Sequence, residues 1–410
     1  MKIAGKDAAT GAFLEVEFFD SIVAVAPAVL LPVIAGVGPR VGTASNDGEL
    51  YLAPGWIDLQ VKGFAGVDYN HPETPHPEIA RSIRALFATG VTRFYATVIT
   101  GSPQHMEGSL SNLSRAKDSL PEGDAIDGFH VEGPNIGAED GPRGAHPRRW
   151  VRKPSLDEFR RWQEATGNRI RIVTLAPEWP EALDYIEKVT AEGVVAAIGH
   201  TQASAPRIAD AVSAGATLST HLGNGAHRVL RRHPNYIWEQ LAEDRLMADF
   251  IVDGIHLDAS FLKVALRAKG IERSVLVTDA APPADAPPGR YRIGEQEVDL
   301  TADGRVVLAG QDRLAGSALR MDRSIGNVMR MARVSLADAV RMATTNAARA
   351  GKVPGRAMGL AAGERADLVE FRFEPKDLRV EVVSTWVSGR KVYQSEGSAD
   401  AQNTGIGKRS

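Results

Sequence analysis

Four polar residues stand at the ends of β-rich runs, and together they make a complete set for hydrolysis. Glu132 ends Gly128–Glu132, in His130-Val-Glu-Gly-Pro134. His200 ends Val195–His200, His221 ends Ala216–His221 and Asp279 ends Ser274–Asp279. Two histidines and one carboxylate suit a Zn2+-like ion that keeps an open position for water. Such an ion lowers the pKa of water and polarises a carbonyl. A separate carboxylate, Asp279, is then available to take the water's proton and return it to a leaving amine. Each residue alone is weak evidence, because a lone histidine is more often structural and a strand-end carboxylate more often caps the next helix. Their common position at strand ends shifts the balance toward a metal site.

That common position needs a scaffold. Eight strand-like runs are spaced along the chain: Trp56–Gln60, Thr92–Thr97, Gly128–Glu132, Ile170–Leu175, Val195–His200, Ala216–His221, Ala248–Val252 and Ser274–Asp279. Helical spacing lies between them, at Pro77–Ala88, Ser155–Ala165, Pro180–Ala191, Ala205–Ala214 and Ala259–Lys269. This alternation predicts an α/β fold, a (β/α)8 TIM-like barrel. A doubly wound open sheet shows the same alternation, but eight units over this length favour the barrel. In a barrel the C-terminal strand ends converge on one face, so residues far apart in sequence meet there.

The flanks read differently. Residues 1–53 show short strands and Gly, Pro and Asn-Asp-Gly turns, and residues 365–395 return to strands. The two ends are expected to form one small β-sandwich domain around a catalytic barrel at 54–364. A hairpin insert is expected over 289–310, around Asp303-Gly304, with helices at Asp322–Ala332 and Ser335–Ala348. The polar, Gly/Ser-rich tail, 396–410, is expected to be disordered.

Composition narrows the function. Of the 410 residues, 43% are hydrophobic, enough for a large core. A net charge of -3 gives no broad attraction to nucleic acid or anionic membrane. The absence of cysteine removes disulfides, thiolate metal sites and cysteine nucleophiles, and it fits a reducing compartment. The apolar stretch Ile22–Pro39 carries three prolines and two glycines, so it reads as strands and turns, not as a signal or a span. A cytoplasmic protein is expected. Arg228, Arg231 and Arg232 crowd the loop after His221, and His146 lies in the loop after Glu132. Such groups suit an oxyanion such as phosphate; a solvated basic loop fits the same spacing equally well.

As a set the motifs are recognisable. Pro54-Gly-Trp-Ile-Asp-Leu-Gln60, His130-Val-Glu-Gly-Pro134, Gly199-His-Thr-Gln-Ala203, Thr220-His-Leu-Gly-Asn224, Asp253-Gly-Ile-His256, Val277-Thr-Asp-Ala280, Leu314-Ala-Gly-Ser317 and Gly363-Glu-Arg-Ala-Asp-Leu-Val369 occur in that order. The chain resembles the N-acetylglucosamine-6-phosphate deacetylases of the amidohydrolase superfamily from about residue 50 to 395. The resemblance implies deacetylation of N-acetyl-D-glucosamine 6-phosphate, with one divalent ion per subunit, Zn2+ first, held by Glu132, His200 and His221. It implies Asp279 as general acid/base. It implies substrate contacts from His146, Asn224, Gly225 and His256, and from the backbone at Leu314, Ala315 and Gly316. It places a phosphate-binding arginine at Arg232, often reached across the interface of a homodimer.

The chain departs from the family in three places. Thr220-His-Leu-Gly-Asn-Gly-Ala226 stands where Thr-His-Leu-Phe-Asn-Ala-Met is common, and Arg232 is followed by His233-Pro-Asn instead of Glu-Pro-Gly. The first strand carries Gln60-Val-Lys62 where many amidohydrolases have His-x-His and many of these deacetylases Gln-x-Asn. A protonated lysine donates and does not ligate, so one ion is expected rather than two. Lys62 reads more readily as an ordinary loop lysine than as a fixed charge replacing a second ion. Other readings are a deacetylase of galactosamine 6-phosphate or of an unphosphorylated sugar, an amidohydrolase acting on a cyclic amide or N-acyl amino acid, and a sugar-phosphate sensor. The intact ligand set and Asp279 argue against a sensor.

Overall fold

The computed structural model describes residues 1–28 and 49–396. Eight parallel strands form the central sheet: β1 (Trp56–Val61), β2 (Val91–Ile99), β3 (Ile126–Glu132), β4 (Ile170–Leu175), β5 (Val195–Ile198), β6 (Leu218–Ser219), β7 (Met247–Phe250) and β8 (Ser274–Leu276). Each pairs with its sequence neighbours. The ring nearly closes between the ends of β8 and β1: Val61 bridges Ala280 in parallel, and Lys62 N donates to Ala280 O at 2.8 Å. Asp58 on β1 adds a side-chain clasp, accepting from Thr278 N and Oγ1 at 3.2 and 2.5 Å. All nine residues of β2 are buried, as expected of strands covered on both faces.

Four strands stop short of their expected ends. The backbone turns left-handed at His200 (φ 52°), His221 (φ 30°) and Asp279 (φ 52°), which breaks the extended run before each of these residues. Such conformations are costly for residues other than glycine and gather at functional sites. Val252, expected inside β7, also lies beyond its strand.

The outer helices start where their caps dictate. Ser155 Oγ accepts from Glu158 N ahead of Leu156–Thr166, and Asp258 Oδ1 accepts from Phe261 N ahead of Ala259–Lys269. The expected helix Ser335–Ala348 is two, Leu336–Met342 and Thr345–Gly351. The break at Thr344 lets Asn346 Nδ2 donate to the carbonyls of Ile271 and Ser274, which ties the second helix to the start of β8. A long helix, Pro103–Ser119, was not apparent in the hydrophobic pattern; much of it is polar, but Ser102 caps it.

Both chain ends join one seven-stranded sheet built from Lys2–Asp7, Phe13–Phe18, Ile22–Pro27, Glu49–Pro54, Leu368–Glu374, Arg379–Val387 and Arg390–Gln394. Its two faces alternate. Leu52, Leu368 and Trp386 cluster with Val16, Phe18 and Ile22, while Ala53, Val369 and Phe371 belong to the barrel's core. The expected insert is a three-stranded antiparallel sheet, Gly289–Ile293, Gln296–Leu300 and Val306–Leu308, with its turn at Asp303-Gly304. The tail from 397 and the Asn46-Asp-Gly turn lie outside the described residues. Among the described residues no helix is long and apolar enough to cross a membrane.

Candidate active site

Glu132, His200 and His221 meet at the C-terminal mouth of the barrel, each buried, with their ligand atoms all within 4.8 Å of one another. His200 Nε2 and His221 Nε2 lie 3.0 and 2.9 Å from Glu132 Oε1. His200 Nδ1 lies 2.7 Å from the carbonyl of Pro142, which can only accept, so Nδ1 carries a proton. In the neutral ring Nε2 is then a lone pair aimed at a carboxylate oxygen. Two acceptors at that distance need a proton or a cation between them. His221 is held by its backbone, whose N–H donates to Asp249 Oδ1 at 2.5 Å. The donor set therefore fits a divalent ion bound by two imidazoles and one carboxylate.

Asp279 lies beyond β8 and is 3% exposed. Its partner is Lys62, whose Nζ lies 2.7 Å from Oδ1 and 2.9 Å from Oδ2. The same ammonium lies 3.3 Å from Glu132 Oε2. Lys62 is thus no ordinary loop lysine: it is 5% exposed and sits between the two carboxylates of the site. Burial pushes its pKa down, but Asp279 and Glu132 more than offset that and hold it above the ordinary lysine value. Burial likewise pushes the Glu132 carboxyl up, yet Lys62 and the neighbouring imidazoles of His200 and His221 hold it well below the ordinary range.

These residues open into a cavity of about 1030 Å3, large enough for a sugar phosphate. His146, Asn224, Gly225, His256, Leu314, Ala315 and Gly316 all line it, as does Asp279. His146 Nδ1 is 2.7 Å from Thr100 Oγ1, and burial, with His200 beside it, holds its pKa well below the usual value. His256 Nδ1 bonds Asp253 Oδ2 at 2.6 Å, which fixes the ring by one nitrogen. His130, in the same motif as Glu132, turns away: its ring reaches Leu59 O and Thr174 Oγ1 at 3.0 and 2.7 Å, and burial pushes its pKa down to about 4.

The smaller loop after His221 has a steric cause. Gly223 has φ 103°, and a Cβ there would come within 2.7 Å of the Phe261 ring. Gly225 has φ 57°, and a Cβ would come within 2.6 Å of His200 Nδ1. Arg232 is exposed and is not among the cavity's lining residues. Arg228, Arg305 and Arg313 line the cavity instead. The last two come from the insert region, and the sequence pattern does not single them out. Arg313 directly precedes the Leu314-Ala-Gly316 motif, which was the available signal.

The model of the Amidohydrolase family matches residues 288–393. N-acetylglucosamine-6-phosphate deacetylase from Bos taurus is 34% identical over 87% of this chain and 87% of its own. The Bacillus subtilis (strain 168) protein of the same name is 33% identical over 78% of this chain and 80% of its own. A solved N-acetyl-D-glucosamine-6-phosphate deacetylase mutant from Mycobacterium smegmatis, in complex with N-acetyl-D-glucosamine-6-phosphate, superposes with a TM-score of 0.79 at 32% identity, covering 93% of this chain and 94% of that one. The chain belongs to the N-acetylglucosamine-6-phosphate deacetylase family.

Proposed function

We propose that this chain hydrolyses the acetamide of N-acetyl-D-glucosamine 6-phosphate, giving D-glucosamine 6-phosphate and acetate. The observation that carries the reading is the convergence of His200, His221 and Asp279 at one cavity, with Glu132 buried against both histidines, in a chain of this family. A divalent ion held by Glu132, His200 and His221, Zn2+ first with Fe2+, Mn2+ and Co2+ accepted by the same donors, supplies Lewis-acid polarisation and a water of lowered pKa.

The chain's own residues do the rest. Asp279 takes a proton from the attacking water as the water oxygen bonds to the acetyl carbon. Asp279 then gives that proton to the sugar nitrogen as the C–N bond breaks. His256, fixed through Nδ1 by Asp253, offers its other nitrogen to the substrate's oxygens. His146, Asn224, Gly225 and the Leu314-Ala-Gly316 backbone enclose the sugar, and Arg228, Arg305 and Arg313, two of them beside Asp312 and Asp140, offer guanidinium groups to a phosphate. Arg232 fits the phosphate-binding role by reaching the cavity of a second copy in a homodimer; its exposure, and that of Val229 at 88%, support an interface there. The cysteine-free composition fits a cytoplasmic setting.

The test is Asp279→Asn. The variant is expected to keep its metal and to bind the sugar phosphate by calorimetry, while acetate release slows about 100- to 10,000-fold. Unchanged turnover would overturn the assignment of Asp279.

A further inference from the structure

Glu132 divides its two oxygens between two kinds of partner. Oε1 faces the imidazoles of His200 and His221, whereas Oε2 faces the ammonium of Lys62 at 3.3 Å. Lys62 also spans both oxygens of Asp279, at 2.7 and 2.9 Å. A carboxylate with one oxygen at a candidate metal site and the other at an ammonium, with a second carboxylate closing the far side, is an arrangement suited to two positive centres. Here one of the two positive centres is covalently part of the chain.

The lysine is built in firmly. Its backbone N–H donates to Ala280 O at 2.8 Å, across the closure of the barrel. Its carbonyl accepts from Tyr69 N and Asn70 Nδ2, both at 3.1 Å. The residue two positions before it, Gln60, is fully buried with neither side-chain polar atom partnered. Gln60 therefore does not hold the ammonium, whose partners among the described residues are the two carboxylates.

We propose that Lys62 stands in for a second cation. It is a positioning residue that fixes the Asp279 carboxylate beside the Glu132–His200–His221 site and restricts the centre to one ion per chain. This role rests on the deacetylase reading for its effect on turnover, but its effect on metal count does not. A fixed ammonium balances the charge of Glu132 and Asp279 as an ion-pair partner without offering a ligand atom, because a protonated amine has no lone pair. It also holds Asp279 in one orientation, as a general base requires.

The experiment measures metal per chain and kinetics together. Wild-type protein, loaded with excess Zn2+ and desalted, is expected to carry one ion per chain by elemental analysis, and Lys62→His is expected to carry two. Lys62→Met, which keeps the stem and removes the charge, is expected to keep one ion and a KM within about threefold of wild type, with kcat reduced about 100-fold or more. Lys62→Arg, which restores the charge, is expected to recover part of that loss. Two ions on the wild-type chain would overturn the proposal. So would a Lys62→Met chain that turns over normally, or one whose whole defect is lost metal or raised KM. Circular dichroism confirms that each variant is folded, and the wild-type count needs no variant and no substrate. A wild-type chain that releases no acetate but carries one ion would sink the deacetylase reading and leave the metal count of this inference standing.

Discussion

The Nδ1 of His200 donates to the carbonyl of Pro142 at 2.7 Å, across 58 residues of chain. That single bond fixes the tautomer of the ring and aims Nε2 at Glu132. Outer partners of this kind typically contribute about 10- to 100-fold to metal affinity. Removing the ring itself removes a ligand and should cost more. His200→Ala is expected to lose over about 100-fold in metal affinity by competition with a chelator, with activity falling in parallel. Undiminished affinity would mean that His200 is not a ligand.

Asp58 predicts a pH dependence of stability. It is fully buried, and burial pushes its carboxyl up to about 7 from 3.8, despite hydrogen bonds from Thr278 and Gln60 that pull the other way. The folded chain therefore holds a proton that the unfolded chain releases between roughly pH 4 and about pH 7. The contribution of this group is complete below that window and is lost as pH rises through it. In Asp58→Asn the uncharged amide removes the effect. The urea-unfolding free energy of wild type minus that of the variant is expected to fall across the window by a few kcal/mol, because each tenfold difference in proton affinity between the folded and unfolded chain is worth about 1.4 kcal/mol. A difference that stays flat with pH would contradict the account.

Asp367 joins the terminal sheet to the barrel. Its carboxylate accepts from Arg93 Nε on β2 at 2.6 Å and lies 3.4 Å from Arg356 and 3.0 Å from Arg365. Arg93 and Arg356 are 2% and 1% exposed, so losing this counter-charge leaves Arg356 without its ion pair and Arg93 with the longer one to Asp127 at 3.7 Å. Asp367→Ala is expected to cost about 3–5 kcal/mol in chemical denaturation. A loss under about 1 kcal/mol would show that the network is not structurally important.

Much of this was legible in the sequence because the barrel repeats one pattern. Apolar runs ending in Glu132, His200, His221 and Asp279 mark strand ends, and strand ends in a barrel share a face. The left-handed turns at His200, His221 and Asp279 were not legible, since histidine and aspartate, though enriched in that conformation, adopt it at only a small share of their positions. The role of Lys62 was hidden for another reason: its partners Glu132 and Asp279 lie 70 and 217 residues away, and local pattern carries no signal over that distance. Gly223 and Gly225 look like missing side chains in the sequence, whereas the fold makes them necessary beside Phe261 and His200. The break at Thr344 follows from a tertiary demand, the two carbonyls that Asn346 satisfies, and helical spacing alone runs straight through it.

The central claim is tested most directly by acetate release from N-acetylglucosamine 6-phosphate by metal-loaded protein, beside unphosphorylated N-acetylglucosamine and N-acetylgalactosamine 6-phosphate. The account predicts acetate from the first, with kcat/KM at least about 100-fold above the unphosphorylated sugar, as expected when a cluster of cationic side chains is built to pair with an anion. Equal turnover with and without the phosphate, or no acetate from any of the three with metal bound, would contradict it.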